Sequence, residues 1–238
     1  MIRAVLFDLG NTLVRYFRRD SFPQILRECL RCAAAAINDR TADPDSLFEK
    51  ALASGREAGD FSVRRLEDRI LNLFPALDGT DALAMSRICR AFMAPIFACA
   101  RVEDDALEVL DELRARGLYT AVVSNTPWGS SAELWLEELQ RHDLLKRLDA
   151  VTFCVDVGWR KPHPAPFLST LDKLAIALSD AVFVGDDPRW DVEGALRAGI
   201  RPILFSDGPT EEFGCTKIAR LALLLSPEVL APGAEASR

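Results

Sequence analysis

The sequence predicts an α/β protein, a doubly wound parallel sheet with an inserted all-helical domain. Short apolar strand patterns alternate with amphipathic helix patterns from about residue 101 onward. A lone strand pattern, "IRAVLF" at 2–7, opens the chain. Between these two regions, residues 20 to about 97 carry helical spacing and no strand pattern. Alternating strands and helices imply right-handed crossovers and a parallel sheet. The strand at 2–7 then joins that sheet, and the helical stretch is an insert after it.

The elements follow in order. "SFPQILRECLRCAAAAI", "DPDSLFEKALASGREAG", "VRRLEDRILNLF" and "DALAMSRICRAFM" repeat apolar residues at helical intervals, with Asp20, Asp43 and Asp81 as N-caps or first-turn acids. "EDDALEVLDELRARG" is a helix closed by Gly117, and "LYTAVVS" a strand. "SSAELWLEELQRH" is a helix capped by Ser130 or Ser131, and "AVTFCVDV" a strand. "APFLSTLDKLAIAL" is a helix, "DAVFVGD" a strand, "WDVEGALRAG" a helix and "IRPILF" a strand. Gly194, Ala195, Ala198 and Gly199 suit close helix–sheet packing and a helix terminus. "SPEVLAPGAEASR" is expected to fray. This divides the chain into a core at 1–14 and 98–238 and a helical domain at 15–97.

With 238 residues, 49% of them apolar, the chain can bury a sizeable core. A net charge of −7 argues against a nucleic-acid partner, because phosphate backbones favour basic surfaces. No apolar run has the length of a membrane span, and the immediate strand pattern at the N-terminus leads us to expect no signal peptide. Cys29 and Cys32 form a C-x-x-C within a helix pattern. No second pair at zinc-ligand spacing accompanies them, and His142 and His163 are remote. The six cysteines are therefore expected to be reduced thiols of a cytoplasmic protein, monomer or homodimer.

Open parallel sheets bind ligands at the carboxyl ends of their strands. Four such ends carry polar residues here. Asp8 follows the first strand. Ser124, Asn125 and Thr126 end the second. Lys161 follows the third. Asp186, Asp187 and Asp191 follow the fourth. Each alone is ordinary turn or cap chemistry. Together on one sheet edge they suit one reaction. A carboxylate such as Asp8 can attack phosphorus. Asp186 and Asp191 are hard oxygen ligands for Mg²⁺, which Asp8 can share. Lys161 can neutralise both the nucleophile and a phosphate, and Ser124 can hold phosphate oxygens. Clustered acids without a cation would repel one another, so a metal keeps them ionised.

These residues resemble the haloacid dehalogenase superfamily. "FDLGNTL", "VVSNT", "RKPHP" and "VGDDPRWDVEGALRAG" match its four motifs in order, from Asp8 to Gly199. The resemblance implies a Rossmann-like core and a C1 cap formed by the insert, which closes over the site and helps select substrate. It implies that Asp8 and Lys161 are the catalytic pair and that Ser124, Asn125, Thr12 and Lys161 serve the phosphate. Asp8, Asp186, Asp191 and the backbone carbonyl of Gly10 would hold Mg²⁺.

Gly10 is the departure. In phosphatases of this superfamily the residue there is a second aspartate that protonates the leaving oxygen and then activates water. Such general acid–base help is worth about 10²–10⁴-fold. Three readings follow. The first is a Mg²⁺-dependent phosphatase for a small phosphorylated metabolite, working through an aspartyl-phosphate on Asp8. The second is a 2-haloacid dehalogenase, whose halide needs no proton but whose site uses no Mg²⁺ and carries an aromatic residue that this motif lacks. The third is a weakened scaffold that binds a phospho-ligand or a protein partner. The phosphatase reading accounts best for the remaining motif residues.

Several neighbours have less specific expectations. Thr12 braces the nucleophile loop. Asp187 points at the metal or caps the next helix. His163, bracketed by prolines, is a structural hydrogen-bonder. Trp128 and Trp159 pack or wall the cleft, and Arg15, Arg18 and Arg19 form a solvated helix start near the hinge.

Overall fold

From the N-terminus the chain runs through β1 (Ala4–Phe7), the short strand β2 (Val14–Arg15), α1 (Phe22–Ala36), α2 (Pro44–Ser54), α3 (Leu66–Leu73) and α4 (Ala82–Ala98). It returns through β3 (Arg101–Val102) and α5 (Ala106–Ala115), then β4 (Tyr119–Ser124), α6 (Ala132–Arg141), β5 (Ala150–Phe153), α7 (Cys154–Val157) and α8 (Ala165–Leu174). The chain continues through β6 (Ala181–Gly185), α9 (Glu193–Ala198), β7 (Arg201–Phe205), β8 (Thr216–Ile218) and α10 (Pro227–Leu230). This is a computed structural model; it describes residues 1–39, 42–54, 59–208 and 214–231, without the side chains of Arg19 and Ser54.

Among the described residues the main sheet is parallel throughout, in the order β5-β4-β1-β6-β7-β8. β1 lies at its centre. The chain first builds outward on one side through β4 and β5, then crosses to β6 on the other. That reversal opens a crevice at the carboxyl ends of β1, β4 and β6. Val5, Phe7, Val122, Val182 and Val184 face one apolar layer with Val109, Leu110 and Leu113 of α5. Ala4, Leu6, Ala121, Val123 and Phe183 face the other, with Phe167 and Leu171 of α8 and Ala195 and Ala198 of α9. Burial on both faces is why these strands read as unbroken apolar runs.

In the helical stretch, α1 buries Leu26, Cys29, Leu30, Ala33 and Ala34, and α4 buries Met85, Ile88, Cys89, Phe92, Met93 and Ile96. Steps of three and four put each set on one helix face, and the two faces pack together. Cys29 is thus a core residue, and Cys32 is half-buried one turn along the same helix. Leu9, Leu13 and Val14 join this core to the layer of the sheet that holds Val5 and Phe7.

The chain leaves for α1 and returns from α4 through β2 and β3, which pair antiparallel. The Glu103 N–H donates to the Leu13 carbonyl at 2.9 Å, and the Arg15 guanidinium forks onto the buried Glu103 carboxylate. A second contact forms where the segment before α3 meets two loops of the sheet side. Ser62 bridges Trp159, the Val63 N–H donates to Gly158 at 3.0 Å, and the Arg160 N–H donates to Phe61 at 2.8 Å. Gly129 lies under this segment with φ of 69°, and a Cβ there would stand 2.0 Å from the Arg64 carbonyl oxygen.

Some expected elements differ. "AVTFCVDV" stays extended only to Phe153. The Asp156 carboxylate then accepts the Phe153 N–H at 2.8 Å, and one helical turn forms that Gly158 closes with φ of 77°. α8 stops at Leu174 because Ala175 turns left-handed, with φ of 53°. Neither expected serine caps α6 by its side chain; the Ser130 hydroxyl donates to the Pro127 carbonyl and accepts the Trp135 indole N–H, both at 2.8 Å. Asp81 and Asp43 do cap, accepting the Ala84 and Ser46 N–H groups at 2.9 Å. β8 was not foreseen, since three residues carry too little pattern. The end of the second helix pattern, 55–58, and the tail at 232–238 lie outside the described residues. No helix among the described residues is long and apolar enough to cross a membrane.

Gly129→Ala should destabilise the protein, because the new methyl displaces the Arg64 backbone from its seat on the sheet side. Overpacking of this kind costs about 1–3 kcal/mol, and the left-handed backbone adds to it. A urea titration reads the loss; an unchanged midpoint would contradict the close approach.

Candidate active site

β1 ends at Phe7, and the next N–H, that of Asp8, still donates to Val184 of β6 at 2.8 Å. Asp8 is thereby fixed at the carboxyl end of the central strand. The chain then turns tightly. The Asn11 N–H donates to Val14 at 2.7 Å and the Leu13 N–H to Leu9 at 3.0 Å. Asn11 takes φ of 57°, a conformation that asparagine tolerates.

Lys161 approaches from the loop after α7. Only 2% of it is exposed, and its ammonium donates to Asp8 Oδ1 and to Asp191 Oδ1, each at 2.7 Å. Asn125 holds this lysine by its backbone. The Asn125 Oδ1 accepts the Lys161 N–H at 2.8 Å, and its Nδ2 donates to the Lys161 carbonyl at 3.2 Å. The side-chain amide that we expected to serve the phosphate is engaged at both ends with the lysine backbone. Asn125 is a positioning residue in this geometry.

Asp191 comes from the wide helical turn at Pro188–Val192. Its Oδ2 accepts the Asp187 N–H at 3.0 Å. Gly185 admits it: a Cβ on Gly185 would sit 2.4 Å from the Asp191 carboxyl carbon. Asp187 takes the capping role of its two expected alternatives, accepting the Arg189 N–H at 2.9 Å and its guanidinium at 3.0 Å. Asp186, half-buried, completes a group with Asp8 and Asp191 whose ligand atoms lie within 4.8 Å of one another.

The charges do not balance. Three carboxylates surround one ammonium, a net of −2 when all are ionised. Burial alone would lower the Lys161 pKa, but Asp191 and Asp8 more than offset it and hold the lysine protonated. Burial pushes the Asp191 pKa up against the pull of Lys161. Asp186 rises further, to about 8, through burial first and then repulsion from Asp8 and Asp191. Hard carboxylate oxygens with this excess charge fit a divalent cation.

These residues line a cavity of about 210 Å³ together with Gly10, Asn11, Tyr16, Ser124, Pro127, Trp135 and Trp190. A wider cleft of about 580 Å³ adjoins it, with Arg15, Arg18, Glu103 and Asp207 on its walls. Of the expected phosphate residues, Ser124, Asn125 and Lys161 line the cavity. Thr12 is fully buried in the turn, its hydroxyl has no hydrogen-bond partner among the described residues, and it is not part of the lining. His163 is structural: its Nδ1 accepts the Ala165 N–H at 3.2 Å and its ring stacks on Trp159. Trp128 stacks on Phe22 of α1 and packs edge-on against Phe92 of α4. Arg15 is tied to Glu103, Arg18 lies on the cleft wall, and the Arg19 side chain is outside the described residues. The sequence did not single out Tyr16, Trp135 or Trp190, because aromatic residues at helical or hinge positions read as core.

A family model for haloacid dehalogenase-like hydrolases matches residues 2–199. The chain belongs to the haloacid dehalogenase-like hydrolases. Within this family, the chain is 34% identical to the phosphoglycolate phosphatase of Rhodospirillum rubrum over 219 residues, 89% of this chain and 83% of that one. It is 30% identical to the ribulose-1,5-bisphosphate 5-phosphatase of Halopiger xanaduensis over 234 residues, 92% and 90% of the two chains. Two crystal structures share the fold. A HAD phosphatase from Thermococcus onnurineus has a TM-score of 0.69 at 22% identity, covering 97% of this chain and 99% of that one. A 2-haloacid dehalogenase from Pseudomonas syringae pv. Tomato has 0.68 at 24% identity, with the same coverage of both chains. At those identities the two structures speak for the fold alone and do not separate phosphatase from dehalogenase.

Asp186 carries a pH prediction for this hydrolase. Its folded-state pKa of about 8 lies above the ~3.9 of an unfolded chain, so the folded state binds the extra proton between those values. Stability on this group's account is therefore lost as pH rises from about 4 to about 8. In EDTA, Asp186→Asn should raise Tm near neutral pH, and the gain should shrink toward about pH 4. A pH-independent difference in thermal melts would contradict the assignment.

Proposed function

We propose that the chain is a Mg²⁺-dependent phosphatase that hydrolyses a small phosphorylated metabolite through an aspartyl-phosphate on Asp8. One observation carries this reading. A buried lysine is shared by Asp8 and Asp191, and the adjoining Asp186 leaves the site two negative charges in excess when all three carboxylates are ionised. That arrangement asks for a divalent cation and for an anionic group to approach it. When bound, Mg²⁺ would be held by Asp8, Asp186, Asp191 and the Gly10 carbonyl, and would supply the positive charge that lets a phosphoryl group meet a carboxylate.

The chain's own groups do the rest. Lys161 donates to Asp8 and shields the carboxylate from the charge of the incoming phosphate. An Asp8 oxygen bonds to phosphorus as the bond from phosphorus to the leaving oxygen breaks. Ser124 donates a hydrogen bond to a phosphoryl oxygen as charge shifts onto it. Water then attacks the aspartyl-phosphate, releasing phosphate and restoring the Asp8 carboxylate. The helical stretch at 15–97 acts as a cap, with the body of the substrate in the wider cleft between it and the core. The names of the two curated relatives support a small phosphorylated substrate. The six free cysteines suit a reducing cytoplasm. Metal-free dehalogenase chemistry would leave the excess charge unanswered.

Phosphate release should be measured from p-nitrophenyl phosphate, phosphoglycolate, ribulose 1,5-bisphosphate and sugar phosphates, with Mg²⁺ and with EDTA. Mg²⁺-dependent turnover that Asp8→Asn abolishes is expected. Turnover in EDTA, or an active Asp8→Asn, would overturn the reading.

Gly10 has an ordinary backbone conformation, and the one atom near its absent Cβ is Tyr16 Cδ2 at 4.0 Å. Gly10→Asp therefore has room. It should raise kcat on alkyl phosphates by roughly tenfold or more. An unchanged or lower kcat would show that the proton is not what limits the wild type.

A further inference from the structure

Phe61, in the segment before α3, touches the chain neighbours of both Lys161 and Asp191. Its carbonyl accepts the Arg160 N–H at 2.8 Å. Arg160 is next to Lys161, whose own N–H is held by Asn125 at 2.8 Å. Two successive N–H groups at the lysine are therefore pinned, one from the loop after β4 and one from the inserted stretch. The Phe61 ring packs edge-on against Trp190, with centroids 6.4 Å apart. Trp190 is next to Asp191 in the wide turn at Pro188–Val192. The Arg197 guanidinium of α9 lies over the Phe61 ring at 5.8 Å, and that of Arg160 over the Trp190 ring at 6.0 Å.

Phe61 is held in this place at a cost. Its φ of 59° is left-handed, and a bulky residue keeps that conformation only where its surroundings dictate it. Here they do. The Asp60 carboxylate accepts the Ser62 N–H at 3.0 Å and the Ser62 hydroxyl at 2.9 Å, Ser62 bridges Trp159, and the Val63 N–H donates to Gly158 at 3.0 Å. Strain of this kind collects where position matters to function. Phe61 does not line the catalytic cavity, so its effect on the reaction runs through Arg160 and Trp190.

We propose that Phe61 is a positioning residue that couples the seat of the inserted stretch to the ion pair of Lys161 with Asp8 and Asp191. Its carbonyl steadies the lysine loop, and its ring steadies the turn that carries Asp191. With both in place the ammonium stays 2.7 Å from each carboxylate. Without the ring, loop and turn lose their common stop, and Asp8 loses a fixed angle toward phosphorus. A misplacement of about 1 Å can cost about 10²-fold in rate. The catalytic half of this role rests on the phosphatase reading above; the coupling of the two segments does not.

The test pairs hydrogen exchange with kinetics on wild type, Phe61→Ala and Phe61→Tyr. Read by mass spectrometry, Phe61→Ala should exchange faster in peptides that cover Lys161 and Asp191, while β1, β4 and β6 exchange as in wild type. Phe61→Tyr keeps the ring and should restore both segments. With Mg²⁺, Phe61→Ala should lower kcat by roughly 10- to 100-fold, equally on p-nitrophenyl phosphate and on alkyl phosphates, with KM little changed. Phe61→Leu, a smaller change, takes the same measurements if Phe61→Ala does not fold. A residue that only packs would leave kcat per folded molecule unchanged, and one that contacts substrate would move KM and separate the esters. Either pattern overturns the proposal, as does unchanged exchange in the two segments. A wild type without Asp8-dependent turnover would sink the phosphatase reading alone, and the exchange pattern would still decide whether Phe61 holds the two segments.

Discussion

The site is organised around one ammonium group divided between two carboxylates in a nearly dry setting. Removing a charge from water is expensive, and a buried ion pair holds only when its geometry is good and its remaining donors and acceptors are met. The structure around Lys161 meets those conditions one by one. Asn125 fixes the lysine backbone from both sides. The Asp187 N–H holds the second oxygen of Asp191. Gly185 removes the one atom that would keep Asp191 from the strand end. The topology brings β1, β4 and β6 to a common edge, and the ion pair then ties the loops after β1, α7 and β6 together. A change in any of these supports acts on Asp8 without touching it.

The same logic explains why parts of this arrangement were legible in the sequence and parts were not. Asp8, Ser124 and Asp186 follow apolar runs that can only be buried strands, so their place at the sheet edge follows from pattern and topology. Lys161 and Asp191 are legible for a weaker reason, their spacing from those strands. Asn125 was expected to orient a phosphate or its loop, and its amide holds the backbone of the lysine loop, a partner that no local pattern locates. Thr12 sits in the right turn with its hydroxyl buried. Tyr16 was not legible as a cavity residue, because an aromatic residue in a hinge reads as ordinary packing.

The helical stretch shows a similar division. Its helices follow from spacing, and α1 and α4 pair as their apolar faces require. Its attachment to the sheet side does not. The backbone contacts of residues 61–63 with 158–160 and the seat of Arg64 on Gly129 join segments distant in sequence and poor in pattern. They bring the segment before α3 down beside Trp190, whose ring meets Phe61 edge-on at 6.4 Å and which lines the catalytic cavity. The inserted stretch thus packs behind Trp190, a residue of the sheet side on the cavity wall, and a proposed substrate selector has a physical link to the edge that holds Asp8.

Gly10 then has a consequence beyond a lost proton. A fourth carboxylate at that position would add charge beside three others that share one ammonium, and burial together with repulsion from Asp8 and Asp191 already gives Asp186 a strongly raised pKa. Glycine lowers that repulsion, which makes the folded site easier to hold before any cation arrives. The burden moves to the leaving group, which must depart with less help. Among phosphate esters, those with more acidic leaving alcohols are then favoured, and the electrostatics of folding and the range of usable substrates become two results of one missing carboxyl.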